Sequence, residues 1–258
     1  MNASQNKPIK ISIITIVFND AENIHETLSS VRNQDYENIE YIVIDGDSTD
    51  GTKEIIEKHI QHIDKFFSEQ DEGIYDALNK GIHHASGEYI GFLHSGDFFY
   101  GNDVISSLAL NIEREGCDAI FSNLDIVDPK DTKKILRHYT GNNFSLLKLR
   151  MGIMPPHPTF YCKKDIYEKV GKYTTKYRVS SDYEMMVRMF YVERIKYFYL
   201  DKTTVKMRSG GESNNGIKGQ IQQNMEIYDA AKRNNFYTNY LLIACKIPLK
   251  LAQYITRS

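Results

Sequence analysis

The sequence predicts a doubly wound α/β fold, a mainly parallel sheet with helices on both faces, followed by C-terminal helices. Three observations carry this reading. Short β-branched apolar runs alternate with segments of helical periodicity as far as Ser122. The first run, Lys10 to Phe18, is apolar almost without interruption, as expected of a strand buried on both faces. The spacing between successive runs leaves room for one helical crossover each, and right-handed crossovers stack the helices on both faces.

The elements follow in order. After the first strand, Asn19 or Asp20 can cap a helix carrying Ile24, Leu28 and Val31. Ile39 to Asp45 is the second strand, followed by the polar turn Gly46 to Gly51 and a helix with Ile55, Ile56 and Ile60 inside. Lys65 to Ser68 reads as a short third strand. Ile74 to Ala85 is helical, with Gly87 as its candidate stop. Tyr89 to Leu93 is the fourth strand, Asp103 to Glu115 a helix, and Asp118 to Ser122 a strand. Leu124–Asp128 and Lys134–Tyr139 can pair as a hairpin around Pro129. Asp182 to Glu193 is a helix with Met185, Met186, Met189 and Phe190 inward. Ile195–Leu200 and Thr203–Met207 read as strands, and Ser209 to Gly216 as a loop. Two helices finish the chain, about 217–234 and 238–255, with Pro248 perturbing the second.

Composition narrows the function classes. The chain has 258 residues, 41% apolar and 26% charged, which excludes a wholly disordered or collagen-like protein. Its three cysteines form no CxxC pair, so thiolate-zinc spacing is absent, and their odd count fits a reducing compartment better than a disulfide scaffold. Met1 to Lys10 lacks a signal-peptide apolar region, and no run approaches 18 apolar residues. Charge is segregated: −16 over residues 1–128 (8 Lys+Arg against 24 Asp+Glu) and +14 over residues 129–258 (24 against 10). The two halves are expected either to meet different partners or to carry the charge as solvated surface.

In an open α/β sheet, ligands bind beyond the carboxyl ends of the strands. That rule marks Thr15–Asn19, Asp45–Asp50 and His94–Asp97. Asp45 and Asp97 at strand ends can each accept from a ribose or base, bind a hard cation, or simply cap a turn. No GxGxxG follows the first strand, which disfavours a dinucleotide-binding dehydrogenase. A sugar-nucleotide pyrophosphorylase would need a Gly-rich loop with Arg and Lys there, and Val17 to Glu22 has neither.

Thr15-Ile-Val-Phe-Asn19, Ile44-Asp-Gly-Asp-Ser-Thr-Asp-Gly-Thr52, Asp71-Glu-Gly-Ile-Tyr-Asp-Ala-Leu-Asn-Lys-Gly81 and Ala85-Ser-Gly-Glu-Tyr-Ile-Gly-Phe-Leu-His-Ser-Gly-Asp97 occur in this order. Together they resemble family 2 glycosyltransferases, in particular bacterial surface-polysaccharide enzymes of the colanic-acid type. The resemblance covers roughly residues 10–210. It implies a GT-A fold, a nucleotide-diphospho-sugar donor (commonly a UDP-sugar), and inverting displacement at the anomeric carbon. By position it implies nucleotide contacts from Thr15, Phe18, Asn19, Asp71, Asp76, Asn79, Lys80 and Ser95, with Asp45 reading the base. Lys80 suits a phosphate contact or a solvated helix lysine.

Ser95-Gly96-Asp97 stands where the family carries its acidic metal motif, which makes Asp97 the implied ligand of Mg²⁺ or Mn²⁺. Asp47 departs from the family's Asp-Asp-Gly order. Ser180-Ser-Asp-Tyr-Glu184 opens a helix, so Ser181 or Asp182 suits an N-cap. The resemblance instead gives Asp182 the role of catalytic base, with Glu184 as the alternative carboxylate. It sets His157, within Met154-Pro-Pro-His-Pro-Thr159, at the donor or acceptor pocket. Arg208 is set near the diphosphate, ahead of a glycine-rich loop that closes over the donor or merely connects.

The expected organisation is a glycosyltransferase domain over 1–213, with a nucleotide-sugar half about 1–128 and an acceptor half about 129–213. A helical tail over 214–258 follows. The implied acceptor is a saccharide, polyprenyl-diphosphate-linked in such relatives, with no nucleic-acid partner. The tail, with 6 Lys+Arg and 2 Asp+Glu, suits a membrane-interface contact, a homo-oligomer contact, or packing on the domain. The expected location is cytoplasmic, at the inner face of the membrane if the tail binds it. The competing non-enzyme reading is a nucleotide-sugar-binding or assembly protein of the same fold.

Overall fold

The computed structural model describes residues 8–210 and 216–246. Strand β1 (Ile11–Val17), helix α1 (Ile24–Arg32), β2 (Ile39–Asp45), α2 (Thr52–Lys58), β3 (Lys65–Ser68), α3 (Ile74–His84) and β4 (Tyr89–Phe92) form the expected βαβ units. These four strands pair in parallel in the order β3-β2-β1-β4. Every residue of β1 is buried, because both faces are covered. Ile14 and Ile16 pack under Tyr75, Ala77 and Leu78 of α3. Ile11, Ile13 and Val17 pack on the other face with Ile24, Leu28 and Val31 of α1 and Ile56 of α2. Each such fully buried aliphatic side chain stabilises the fold by about 1.5–3 kcal/mol.

Beyond β4 come β5 (Phe98–Phe99), α4 (Val104–Glu115), β6 (Ala119–Val127), β7 (Ile135–Tyr139), α5 (Leu146–Arg150), β8 (Tyr161–Lys163), α6 (Lys164–Val170), α7 (Ser181–Val187), β9 (Tyr197–Arg208), α8 (Gly216–Arg233) and α9 (Tyr240–Ala244). Here the sheet is mixed. β8 lies between β4 and β6, antiparallel to both. β6 pairs in parallel with β9, and β9 is antiparallel to β5. β6 and β7 make the expected hairpin. α8 buries Ile227, Ala230 and Ala231, joined by Phe236 and Ile243, in the layer that also holds α3, α6 and α7.

Several boundaries differ from the sequence reading. Residues 118–122 and 124–128 fuse into β6, because the polar residues at the junction find partners: the Ser122 and Thr204 hydroxyls lie 2.6 Å apart, and Asn123 Oδ1 accepts from Gly141 N at 3.0 Å. The two strands read at 195–200 and 203–207 likewise merge into β9, which absorbs the polar interruption through register shifts opposite Phe121–Leu124. α1 is not capped by Asn19 or Asp20. A turn intervenes, in which the Asp20 carbonyl accepts from Asn23 N and Ile24 N at 3.3 and 3.1 Å. The helix over 182–193 is α7 followed by a π-helical segment, Arg188–Val192. Its N-cap position falls on Ser180, not on Ser181 or Asp182. Gly87 does not end α3. Its N–H donates to Ser12 Oγ at 2.9 Å, and a Cβ there would lie 2.6 Å from Ser12 N. β5, α5, β8 and α6, of two, five, three and seven residues, are too short for periodicity to reveal. The loop residues 211–215 and the tail residues 247–258, Pro248 included, lie outside the described residues.

Candidate active site

The parallel register lines up Val17, Asp45 and Ser68 at one sheet edge. The chain leaves β1 at Phe18, a residue 64% exposed. Asn19 follows with φ +50°. That turn lets Asn19 N donate to Ser48 Oγ (2.8 Å) while its side-chain carbonyl accepts from Thr49 N (2.9 Å). Asn19 therefore ties the loop after β1 to the turn after β2. Asp45 is fully buried. Its carboxylate accepts from Ser48 Oγ at 2.5 Å, Ser48 N at 3.2 Å and Ser68 Oγ at 2.7 Å. Thr15 is buried too, its hydroxyl donating to Leu93 O at 2.7 Å beneath the sheet edge. Thr15 and Asp45 thus both lie buried at the strand ends with protein partners of their own, the Asp45 carboxylate already accepting from Ser48 and Ser68.

The open groups on this side are Phe18 and Asp71. A Cβ built on Gly46 would lie 2.7 Å from Asp71 Oδ2 and 3.3 Å from Phe18 Cδ2. Gly46 therefore lets an aromatic ring and a carboxylate approach the same backbone position closely. Asp71 Oδ1 accepts from Gly73 N at 2.8 Å, which fixes it ahead of α3. Along α3, Asn79 is bonded in both directions to the Tyr173 backbone, 2.8 and 2.9 Å. Lys80 donates to Gln70 O (2.9 Å) and pairs with Glu69 (3.1 Å) and Asp76 (3.4 Å). Asn79, Asp76 and Lys80 thus hold loops in place, and the structure does not bring them to Phe18 and Asp71 as free ligands.

The loop after β4 faces the loop after β1, at the switch point between β1 and β4. Ser95 Oγ donates to Asp20 Oδ2 at 2.6 Å. Gly96 is buried with φ +89°, and a Cβ there would meet Asp20 Oδ2 at 3.7 Å and Asn23 Cβ at 3.9 Å, so this loop packs against the turn after β1. Asp97 is buried, and burial pushes its carboxyl well above the ordinary value. The Arg208 charge opposes that rise and Asp20 adds to it. Arg208 donates to Gly96 O at 2.6 Å and pairs with Glu26, so it braces the loop rather than reaching outward. Among the described residues no set of three or more His, Cys, Asp and Glu clusters as a metal site. Asp97, which is buried, and Asp20, which lies within its electrostatic reach, nevertheless offer only carboxylate oxygens. That donor set fits a hard cation such as Mg²⁺ or Mn²⁺, which completes its shell with water and substrate phosphates.

The opposite wall is aromatic. The His157 ring stacks on Phe92 (5.3 Å between centroids) and on His94 (5.7 Å). Its Nε2 lies 3.1 Å from the Tyr173 hydroxyl. Burial, and for His157 also the neighbouring His94, lowers the two imidazoles to about 4 for His94 and about 3 for His157, so both are neutral. Tyr173 stacks on Tyr75 at 6.0 Å, and the Tyr75 hydroxyl accepts from Ser181 N at 3.1 Å. Asp182 comes next. It keeps partial access to solvent, and burial raises its carboxyl to about 6, with Glu226 adding to the rise. Glu184, the alternative carboxylate, is not in this wall. Arg188 holds both its oxygens at 2.7–3.0 Å, and Asn234 Nδ2 donates to it at 3.0 Å.

Phe18, Asp71, Ser95, Asp97, His157 and Asp182 thus surround the carboxyl end of the sheet. Sequence reasoning gave no site role to Asp20, Tyr75 or Tyr173, and marked His94 only by its place at a strand end. Asp20 had looked like a helix cap, and His94 carries no ligand spacing. Tyr75 lay unremarked within the stretch Asp71 to Gly81, and Tyr173 carried no signal in the sequence. The buried carboxyl near Asp20 and the half-exposed one near Tyr75 give the crevice two chemically distinct acids.

A family model, glycosyl transferase family 2, matches residues 12–179. An uncharacterized glycosyltransferase of Mycobacterium tuberculosis is 34% identical over 181 residues, covering 69% of this chain and 68% of the relative. A PGL/p-HBAD biosynthesis glycosyltransferase of Mycobacterium bovis is 26% identical over 183 residues, 69% of each chain. In three dimensions the chain is similar to S. aureus TarS 1–349 in complex with UDP-GlcNAc (TM-score 0.68, 19% identity, 86% of this chain and 66% of that one). It is also similar to the mannosyltransferase PcManGT from Pyrobaculum calidifontis in complex with GDP-Man and Mn²⁺ (TM-score 0.66, 16% identity, 96% and 70%). The chain spans about two thirds of the length of these relatives. The GT-A architecture and the matched residues agree: this chain belongs to glycosyl transferase family 2.

Proposed function

We propose that this chain transfers a sugar, with inversion, from a nucleoside diphosphate sugar to a hydroxyl of a saccharide acceptor. The observation that supports it best is Asp182, a carboxylate poised at about 6 in the crevice that also holds Phe18, Asp71 and Asp97. A base with that proton affinity is ionised at neutral pH yet basic enough to take a proton in the transition state. In this reading the nucleobase lies between Phe18 and Asp71. The diphosphate lies over Ser95 and Gly96, with Asp20 and Asp97 beneath. A divalent cation held by Asp97 and Asp20 would neutralise charge on the departing nucleoside diphosphate. Asp182 takes the acceptor proton as the acceptor oxygen bonds to the anomeric carbon and the bond from that carbon to phosphate breaks. The neutral imidazoles of His94 and His157, on the face of Phe92, border the sugar without adding charge.

Similarity to a UDP-GlcNAc complex supports UDP as the nucleotide, and similarity to a GDP-Man and Mn²⁺ complex supports a metal-assisted site. The acceptor we favour is a lipid-linked saccharide of bacterial surface-polysaccharide assembly, met at the cytoplasmic membrane face. Among the described residues no helix is long and apolar enough to cross a membrane. The basic second half and the exposed Tyr237, Tyr240 and Leu241 suit peripheral contact with anionic lipid. The test is a screen of labelled nucleotide sugars against lipid-linked and soluble saccharides, with and without Mn²⁺. Sedimentation with anionic vesicles at low and high salt tests the location. Nucleotide binding without transfer to any acceptor class would favour the binding-protein reading, and no vesicle binding at low salt would reject the membrane contact.

A further inference from the structure

We propose that Tyr75 is the positioning residue of the base: its hydroxyl donates to the Asp182 carboxylate, fixing its orientation and the pH at which it takes a proton. This rests on the reading of Asp182 as the base. The geometry is as follows. Tyr75 lies in the first turn of α3, 7% exposed, its ring stacked on Tyr173 at 6.0 Å. Its oxygen accepts from Ser181 N at 3.1 Å. A phenol that accepts there still has its own proton to place, and a buried donor left unmade is costly. The acceptor that α7 presents next to Ser181 is the carboxylate of Asp182, whose Oδ1 already accepts from Tyr183 N at 2.8 Å. One oxygen is thus anchored within α7 and the carboxylate is steadied from α3, so rotation about its side-chain bonds is limited.

The surroundings of Asp182 make that bond consequential. Tyr75 faces it from α3, Tyr139 from β7, Tyr173 from the segment before α7 and Glu226 from α8. Burial and Glu226 favour the protonated acid, while hydrogen bonds from the Tyr183 N–H and Tyr75 favour the ionised base. Tyr75 thus opposes a hydrophobic surround that would otherwise leave the base protonated near neutral pH. It touches no reacting atom and acts through Asp182. Position adds a second aspect. Asp71, which flanks the proposed nucleobase slot, is bonded to Gly73 N at the start of the same helix. One helix start therefore carries both a donor contact and the partner of the base.

The experiment follows the Asp182 carboxyl directly. Protein labelled with ¹³C at aspartate carboxyls is titrated by NMR, the Asp182 signal being assigned by its loss in Asp182→Asn. In Tyr75→Phe the titration midpoint, and the acid limb of turnover with it, should move up by about one pH unit. UDP affinity should be unchanged. Site-specific difluorotyrosine at position 75, a more acidic phenol and a stronger donor, should move both down, and it serves as the test should Tyr75→Phe not fold. A purely structural tyrosine would lower the melting temperature and the rate plateau without moving the midpoint. An unmoved midpoint, or shifts of the same sign in both variants, overturns the proposal. Full turnover in Asp182→Asn would instead overturn the base assignment on which it rests.

Discussion

Replacing Gly46 by alanine tests whether the nucleobase lies between Phe18 and Asp71. The added carbon would lie 2.7 Å from Asp71 Oδ2 and 3.3 Å from Phe18 Cδ2. An ordinary contact starts near 3.4 Å, so the carboxylate must retreat by about 0.7 Å from a position held by Gly73 N. Gly46 is buried, but both displaced groups are side-chain ends that can swing aside, so the folded state should lose about 1 kcal/mol or less. Binding should lose more. A base stacked on an aromatic ring is worth about 1–3 kcal/mol, and a hydrogen bond to a carboxylate about 1.5–3 kcal/mol. Losing roughly one of these amounts to about 2 kcal/mol, a 10- to 50-fold rise in Kd at about 1.4 kcal/mol per tenfold. Calorimetry with UDP measures it, and urea denaturation controls for folding. A Kd within about threefold of wild type, at an unchanged urea midpoint, would show that the nucleobase is read elsewhere.

Asp182→Asn should retain donor affinity and lose about 10²–10⁴ in turnover. The wild-type rate should fall as pH drops through about 6, because protonation disarms the base; stopped assays across pH check both points. Asp97→Asn should weaken Mn²⁺ binding in the presence of UDP, read by electron paramagnetic resonance of free Mn²⁺, and unchanged binding would remove Asp97 from the metal site. Glu40→Ala tests a structural node at the opposite end of the sheet. The buried carboxylate accepts from Ser12 Oγ (2.5 Å), Ser86 N and Oγ (both 2.6 Å) and Lys65 (2.9 Å), and its loss should cost about 2–5 kcal/mol in urea denaturation. Burial opposes the Glu40 charge, but those bonds hold its carboxyl far below the usual range. Its contribution is therefore full above the unfolded value and fades as pH falls below it.

The first half of the fold was legible because β1, β2 and β4 are buried on both faces and each helix exposes a stripe. Ile13, Ile14, Ile42 and Ile44 announce themselves by composition alone. The second half was less legible because its strands carry polar residues inside. Ser122 and Asn123 read as a break, and only their partners on β9 and beyond β7 show them to be mid-strand. The crevice divides along the same line. Phe18, Asp97 and Asp182 could be located because strand ends and a helix start are visible in sequence. What could not be read was which polar atoms already have protein partners: Asp45 with two serines, Glu184 with Arg188, Asn79 with the Tyr173 backbone. Those bonds span from 3 to 94 residues, and no local pattern encodes the long ones.

β8 has a bearing on how the molecule comes into being. Three residues, Tyr161–Lys163, close the gap between β4 and β6, yet they are synthesised after both. Until they leave the ribosome, two apolar strand borders stand unpaired in the nascent chain, and unpaired borders are templates for aggregation. Such a chain benefits from shelter by a holding chaperone, and a fragment ending near residue 128 should precipitate rather than work as half an enzyme. There is a safeguard in the same arrangement. Asp182 lies beyond the closing strand in sequence, so under the proposed reading a growing polypeptide that already displays the strand ends of β1 to β4 has no base with which to squander activated sugar on water.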